Sequence, residues 1–290
     1  MELLNDRAIR TLLTLLPKAA LSRVVGTASR LPAPRVVHTT AARLFARRYR
    51  IQVDEAEHAI GEYPTLAAFF TRRLREGSRP VAPGEQVIVS PVDARVAAAG
   101  LAEKGRMLQA KGRDYSIAAL LDDPVEAKAF EGGPFLTLYL SPRDYHRIHA
   151  PLAGVVEGYA YIPGKLFPVN PPSVRTIPNL FCVNERLITY LRAPAGRVAV
   201  VKVGATCVGR IRAAYDDVVT RRGGGARSMS YGEPIPIEKG AELGVFETGS
   251  TVILLFEPGS VELDGRLTEG ASVRMGEPIA RTCARSAARG

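Results

Sequence analysis

The chain of 290 residues has no tryptophan and only three cysteines. The number of cysteines is odd, and they are widely separated, at Cys182, Cys207 and Cys283. This pattern fits neither a disulfide framework nor a metal site with paired cysteines. We therefore expect a reducing compartment. Long hydrophobic runs are also missing, because Lys18 and Arg23 interrupt the most apolar segment. No part of the sequence is predicted to cross a bilayer.

Acidic residues are scarce at the N-terminus. Residues 1–53 contain ten basic residues and only Glu2 and Asp6, so they carry +8 of the net charge of +10. The rest of the chain is nearly neutral, which argues against a nucleic-acid partner and predicts a local segment that attaches to an anionic membrane surface. An early acidic pair and an amphipathic pattern are not typical of a secretory signal. We expect a peripheral membrane protein on the cytoplasmic face of the cell membrane.

Apolar residues recur with helical spacing in this basic segment. The pattern predicts short amphipathic helices over about 9–25 and about 40–49. In the second helix Leu44 is apolar, while Arg43 and Arg47 lie on another face. Two interpretations stay open: the helices lie in a membrane interface, or their apolar faces pack on the body and the arginines are solvated.

The remainder of the chain is predicted to be rich in strands. A third helical stretch runs from Tyr63 to about Gly77, and a Pro/Gly-rich linker then leads to the body. Short runs of Val, Ile, Leu and Tyr predict strands, with one short helix near Ile117–Leu121. We expect an α+β fold in which N-terminal amphipathic helices (1–79) precede a β-rich catalytic domain (80–290) of barrel-like or sandwich-like sheets. The predicted strands include Val87–Val89, Phe135–Leu140, Val198–Val203 and Thr251–Phe256.

Two of the four histidines, His146 and His149, lie three residues apart between Ser141-Pro142 and Ala150-Pro151. The flanking residues favour a turn, in which both rings can converge on one pocket. Zinc binding is the alternative, but no third Cys or Glu ligand lies nearby, so we predict no metal.

Two further positions are candidates for chemistry. Gly249-Ser250 directly precedes an apolar strand, although a Gly-Ser pair alone carries little information. Asp93 follows a strand and a Ser-Pro turn, where an aspartate ordinarily accepts hydrogen bonds from turn amides.

Taken together, these segments resemble the phosphatidylserine decarboxylase family, in its longer bacterial and mitochondrial form. The resemblance covers about Tyr63 to Glu257 and departs at Thr248, where many members carry Leu. The matching blocks, in the family's order, are Ser90–Asp93, Tyr139–Pro151, Lys165–Asn170, Leu180–Arg186, Val203–Thr206 and Gly249–Thr251.

The resemblance implies a proenzyme that cuts itself between Gly249 and Ser250. Ser250 would become an N-terminal pyruvoyl group, which forms a Schiff base with phosphatidylserine and releases CO2 to give phosphatidylethanolamine. Asp93 and His149 would form a relay with Ser250 for the cleavage, and His146 would donate the proton in decarboxylation. The covalent pyruvoyl group is the cofactor, and no external one is implied.

The resemblance also implies that one precursor yields a large and a small chain. It is likewise the only basis for expecting a homodimer. Three other functions stay open from the residues. The same Asp, His and Ser could form a hydrolase that acts on an external ester or amide. A pyruvoyl enzyme could act on a soluble amino acid, and a lipid-binding β-rich carrier would account for the basic helices but not for the candidate site.

Overall fold

The computed structural model describes residues 26–31, 34–110, 113–206, 210–220, 225–247 and 250–283. The predicted helices over about 9–25 lie outside the described residues, as do Cys207 and the Thr248-Gly249 pair that precedes Ser250. Within the described part of the chain, strands predominate over short helices, which confirms the prediction of a β-rich body.

Six α-helices have both ends within the described residues, and residues 26–28 are also helical. The six are α1 (Arg35–Tyr49), α2 (Leu66–Phe70), α3 (Ile117–Leu121), α4 (Pro124–Ala127), α5 (Pro171–Thr176) and α6 (Leu180–Val183). Single turns of 3₁₀-helix occur at Val53–Glu55, Glu103–Gly105 and Lys128–Phe130.

Sixteen strands are defined in the same residues. They are β1 (Val87–Val89), β2 (Ala94–Leu101), β3 (Arg106–Ala110), β4 (Arg113–Ser116), β5 (Pro134–Leu140), β6 (Arg147–His149), β7 (Gly154–Ile162), β8 (Arg186–Ala193), β9 (Gly196–Val203), β10 (Ile211–Ala213), β11 (Arg227–Ile237), β12 (Glu242–Phe246), β13 (Ser250–Phe256), β14 (Val261–Leu263), β15 (Ser272–Val273) and β16 (Pro278–Thr282). The four strands predicted by name are all present.

The strands form one large antiparallel sheet and three small ones. The large sheet has eight strands in the order β11-β7-β8-β9-β13-β5-β2-β15. Two three-stranded sheets have the orders β1-β16-β14 and β10-β12-β6, and β3 pairs with β4. β13 lies inside the large sheet, with β9 on one side and β5 on the other.

Both faces of the large sheet are covered by apolar side chains. Val252 and Leu254 of β13 belong to one buried cluster, together with residues of the β10-β12-β6 sheet. Ile253 and Leu255 belong to a second cluster that includes α3 and α6. Because both faces of the sheet are buried, the sequence of β13 is a continuous apolar run and does not alternate between apolar and polar residues.

The N-terminal helices differ in length from their predictions. α1 begins at Arg35, directly after Pro34, and so extends further toward the N-terminus than the predicted helix. α2 is much shorter than the predicted stretch to Gly77. The chain extends after α2, where Leu74 forms a β-bridge with Ala56, so the prediction of a helix beyond Phe70 was wrong.

Candidate active site

Ser250 begins β13 at the edge of an apolar cavity. The residue is buried, and its Oγ atom has no hydrogen-bond partner among the described residues. Across the sheet it is paired with Leu140 of β5. A buried hydroxyl without a partner is unfavourable unless a function requires it. Ser250 is therefore a candidate reactive group, as the sequence predicted.

The cavity beside it, which we call the Ser250 cavity, has a volume of about 350 Å³. Its walls are mostly apolar side chains from α1, α2 and β5, with a few polar groups at one side. The apolar lining includes Phe45, Tyr49, Leu66, Phe70, Tyr139, Leu140 and Val169, and the polar lining includes Asn170, Thr206 and Glu247. A pocket of this kind suits a ligand with a long apolar portion and a small polar end.

His146 lies immediately behind this cavity. Its ring packs against that of Phe70, with the ring centroids 4.1 Å apart and the ring planes tilted by 40°, and Phe70 also lines the Ser250 cavity. The backbone of His146 accepts a hydrogen bond from Phe246 N at 3.0 Å, on the segment that leads to Ser250. The ring is fully buried, and no hydrogen bond of normal geometry reaches either nitrogen from a described residue.

The pKa of His146 is lowered to about 3, mainly by burial and also by the positive charge of Arg72, while the backbone of Asp144 acts in the opposite direction. The imidazole is therefore neutral near pH 7 in this state. A negatively charged ligand beside the ring would raise its pKa.

His149, on β6, is held by two hydrogen bonds. Its Nδ1 atom lies 2.8 Å from the carbonyl oxygen of Gly240, and its Nε2 atom lies 3.1 Å from the hydroxyl of Tyr145. Because a carbonyl can only accept, Nδ1 carries the hydrogen and Nε2 is left with the basic lone pair. Burial lowers the pKa of His149, so the neutral form predominates near pH 7.

Asp93 does not bind either nitrogen of His149. Its carboxylate accepts hydrogen bonds from Arg79 Nε at 2.9 Å and Nη2 at 2.6 Å, and from Met275 N at 2.8 Å. Arg79 also donates to Glu55 at 2.7 Å. Burial alone would lower the pKa of Arg79, but its bonds to these two carboxylates raise it overall.

The structure thus places His146 behind the Ser250 cavity and Asp93 within electrostatic reach of His149, without a hydrogen-bonded relay among the predicted groups. The expected contact in which Asp93 orients His149 is replaced by Gly240 and Tyr145 on the histidine and by Arg79 on the aspartate. Ser250 Oγ bonds to neither. Gly249, the other half of the predicted cleavage site, lies outside the described residues.

Sequence reasoning missed two groups at this site. Tyr145 stands four residues before His149 in the same sequence block and could have been identified as a partner from that spacing. Arg79 lies at the start of the predicted Pro/Gly-rich linker, and nothing in its local sequence indicates a bond to Asp93. Elsewhere, Cys182 and Cys283 are free thiols, and the described residues contain no cluster of three His, Cys, Asp or Glu side chains that could hold a metal.

Comparisons with known proteins give a consistent result. The sequence model described as phosphatidylserine decarboxylase matches residues 66–281. The phosphatidylserine decarboxylase proenzyme of Myxococcus xanthus is 58% identical over 276 residues, which cover 95% of this chain and 99% of that protein. The proenzyme of the same name from Anaeromyxobacter sp. is 55% identical over 95% of this chain and 99% of that protein. That of Brevibacillus brevis is 42% identical over 91% of this chain and 94% of that protein.

Proposed function

This chain belongs to the phosphatidylserine decarboxylase family, and on that premise we propose that it is a carboxy-lyase that converts phosphatidylserine to phosphatidylethanolamine and CO2. The observation that carries the proposal is the position of Ser250, buried and without a hydrogen-bond partner at the wall of an apolar cavity. The head group of a diacyl lipid and the adjoining part of its acyl chains match the mixed polar and apolar lining of this cavity.

We further propose that the chain is a precursor that cuts itself at Gly249-Ser250. Ser250 Oγ attacks the carbonyl carbon of Gly249, and the peptide bond is exchanged for an ester. β-Elimination then breaks the bond between Ser250 Oγ and Cβ, which releases the large chain with a carboxylate at Gly249. The dehydroalanine left at residue 250 takes up water and loses ammonia, so the small chain, residues 250–290, begins with a pyruvoyl group.

The surroundings of Ser250 fit such a group. Ser250 Oγ has no hydrogen-bond partner among the described residues, and the residue lines the Ser250 cavity. When formed, the pyruvoyl group supplies a carbonyl that draws electrons from the substrate as CO2 leaves. Phe70, Tyr139 and Leu140 give the cavity around it an apolar lining.

In this proposal His149 is the base that takes the Ser250 proton. Its neutral ring presents a basic Nε2 atom, as the reaction needs. Tyr145 occupies that atom in the precursor, so His149 must exchange this partner for Ser250 before cleavage. Asp93 supports His149 through its negative charge and not through a hydrogen bond, since its charge raises the pKa of His149.

His146 is the proposed proton donor in decarboxylation. Phe70 places its ring directly behind the cavity wall. The buried ring is neutral in the precursor, and the phosphate and carboxylate of the substrate would favour its protonated form when they enter. His146 is then charged only while substrate is bound, which confines its acidity to the productive complex.

We propose that the N-terminal region, residues 1–79, attaches the enzyme to anionic lipid and delivers the substrate to the catalytic domain, residues 80–290. In α1 the side chains of Val36, Val37 and Leu44 are 76%, 56% and 60% exposed, beside several arginines. The same helix contributes Phe45 and Tyr49 to the Ser250 cavity. No helix in the described residues is long and apolar enough to span a bilayer.

The test of the proposed function combines intact mass with turnover of phosphatidylserine in mixed micelles. We expect the wild-type protein to appear as two chains that divide at Gly249-Ser250, and the small chain to resist Edman sequencing. Ser250→Ala should remain a single inactive chain, while Ser260→Ala, at a buried serine away from the site, should be cut and active. A single wild-type chain that still releases CO2 would exclude the pyruvoyl mechanism. A protein that is cut but does not turn over phosphatidylserine would exclude this lipid as the substrate.

A further inference from the structure

A second cavity, which we call the arginine cavity, has a volume of about 290 Å³ and shares no lining residue with the Ser250 cavity. It lies between the N-terminal region and the β1–β2 turn, and it is lined by twice as many basic as acidic side chains. The basic residues are Arg50, Arg72, Arg79, Arg95, Arg143 and Arg274, and the acidic ones are Glu55, Asp93 and Asp144.

The three carboxylates of this cavity are already engaged. Asp93 and Glu55 both bind Arg79, at 2.6 Å and 2.7 Å. Asp144 accepts hydrogen bonds from the backbone nitrogen and the hydroxyl of Ser141, each at 2.7 Å. Glu55 also pairs with Arg274 at 3.7 Å, and Asp144 pairs with Arg143 at 3.5 Å. Three lining arginines are left without a direct carboxylate pair among the described residues: Arg50, Arg72 and Arg95.

Arg72 is the most unusual of these arginines, because it is buried without a carboxylate partner among the described residues. The residue is 4% exposed, and its Nε and Nη1 atoms have no hydrogen-bond partner in the described part of the chain. Its Nη2 atom makes one long hydrogen bond, 3.4 Å, to the carbonyl of Arg143, and the guanidinium lies 5.3 Å from the centre of the Phe69 ring. A buried guanidinium is normally paired with an anion.

Arg50 and Arg95 extend this positive charge to the rim of the cavity. Both side chains are exposed, and neither forms an ion pair with a described carboxylate. Guanidinium groups present a planar fork of N–H donors that matches the oxygens of a phosphate. One buried and two rim arginines form a built site for a group with several anionic oxygens.

We infer that the arginine cavity binds a phosphate group, either on a lipid head group or on a soluble phosphate compound. This goes beyond the proposed decarboxylase activity, because the Ser250 cavity takes no part in it. The fork of Arg72 would bind the phosphate from the closed end, and Arg50 and Arg95 would bind it from the rim.

A phosphate bound in the arginine cavity would change the pKa of His146 at the active site. Arg72 is the charged group that lowers the pKa of His146 beyond the effect of burial. A phosphate on Arg72 would offset this repulsion and make protonated His146 easier to form. Asp93 and Tyr145 line the same cavity, so the anion would also lie near the groups around His149.

The test is phosphate-dependent thermal unfolding of the full chain carrying Ser250→Ala, so that one polypeptide is present and neither cleavage nor turnover is needed. We expect inorganic phosphate to raise the Tm in a saturable way, while sodium chloride of equal ionic strength does not. The double variant Arg50→Gln/Arg95→Gln should need about tenfold more phosphate for half of this effect. Arg72→Gln should abolish it.

The matched control is Arg106→Gln/Arg192→Gln, which removes two exposed arginines that pair with Asp114 and Glu157. It should leave the phosphate response unchanged. The inference is wrong if the parent protein shows no saturable response or if the control pair weakens the response as much as the rim pair. The titration is then repeated with monomeric dihexanoylphosphatidylglycerol and with glycerol 3-phosphate. The compound that raises the Tm at the lower concentration shows whether the cavity prefers a lipid head group or a soluble phosphate compound.

Discussion

The hydroxyl oxygen of Tyr145 lies 3.1 Å from Nε2 of His149, and the two rings stack with an interplanar angle of 29°. Burial raises the pKa of Tyr145 to about 12, so its hydroxyl keeps its hydrogen and donates it to the histidine. The precursor thus holds its proposed base in the neutral form with the basic atom covered. Tyr145 is a positioning residue in this arrangement, because it acts through His149.

Tyr145→Phe should shift the pH dependence of self-cleavage. The change removes the donor to Nε2 but keeps the ring stack, so neutral His149 loses a stabilising bond and its pKa rises. Because cleavage needs the neutral base, the midpoint of its acidic limb should move upward by about half a unit to one unit. The measurement is the rate of precursor loss on denaturing gels from pH 5 to 9. Tyr63→Phe, at a buried tyrosine away from His149, should keep the wild-type profile, and an unmoved profile in Tyr145→Phe would contradict the assignment.

The two histidines should fail at different steps. His149→Ala should accumulate uncut precursor, because loss of a general base costs about 10²–10⁴-fold in rate. His146→Ala should be cut, at least in part, and then decarboxylate slowly. Gels and CO2 release on the same samples measure both steps. Equal loss of cleavage in the two variants, or normal maturation of His149→Ala, would show that the roles are assigned incorrectly.

The two carboxylates on Arg79 provide a matched pair for testing Asp93. Asp93→Asn and Glu55→Gln each remove one charge from Arg79, whose side chain is 7% exposed, and each should lower the free energy of unfolding by about 1–4 kcal/mol. Only Asp93→Asn should also slow cleavage, by about tenfold or more, because its charge acts on His149. Urea unfolding and gel assays separate the two effects. If Glu55→Gln slows cleavage equally, Asp93 acts only by holding Arg79.

Attachment to lipid should depend on the exposed apolar residues of α1. Replacing Val36, Val37 and Leu44 with serine should weaken co-sedimentation with anionic vesicles by about tenfold or more, since three apolar side chains no longer enter the interface. The arginines make the remaining binding sensitive to salt. A control triple replaces exposed apolar residues of the body, Leu101, Leu108 and Val125, and should bind normally. Equal binding of wild type to neutral vesicles, or no loss in the α1 triple, would count against this role.

Lys202 should make stability depend on pH. It is fully buried in β9, and burial lowers its pKa to about 7, far below that of an unfolded lysine. Its cost to the folded state is therefore greatest below pH 7 and disappears as pH rises toward 10.5. Lys202→Met should stabilise the protein more at pH 6 than at pH 9, with a difference of about 2–3 kcal/mol.

Chemical denaturation of the Ser250→Ala precursor at the two pH values measures this difference. Lys128→Met, at an exposed lysine, should show no such dependence. A stability gain of Lys202→Met that is the same at both pH values would show that the lysine is charged in the folded protein throughout.

The sequence predicted the strands well because their signal is local. The run from Val252 to Phe256 is apolar at every position, and a strand buried on both faces requires that composition. The same rule failed after Phe70. Leu74 continues a helical pattern of apolar residues, yet its actual partner is the Ala56 bridge, which local periodicity does not encode.

The sequence supplied candidate site residues, whose roles stay predictions, but it did not supply their contacts. Ser250, His146 and His149 were found from their sequence blocks. The partner of Asp93 was not, because Arg79 comes from a different segment and Met275 N lies 182 residues further along the chain. Which of several nearby groups a carboxylate binds depends on tertiary packing, and spacing along the chain does not report it.

The place of β13 has a consequence for the protein after it is cut. The new end would lie at the first residue of a strand that is hydrogen-bonded on both sides, to β5 and to β9. The short fragment would also carry β16, which pairs with β1, and the amide that binds Asp93. Neither fragment has a complete core alone, so scission would turn one folding reaction into the assembly of two partners. A matured molecule that unfolds in dilute solution should therefore recover poorly, whereas refolding of its uncut form should not suffer from dilution.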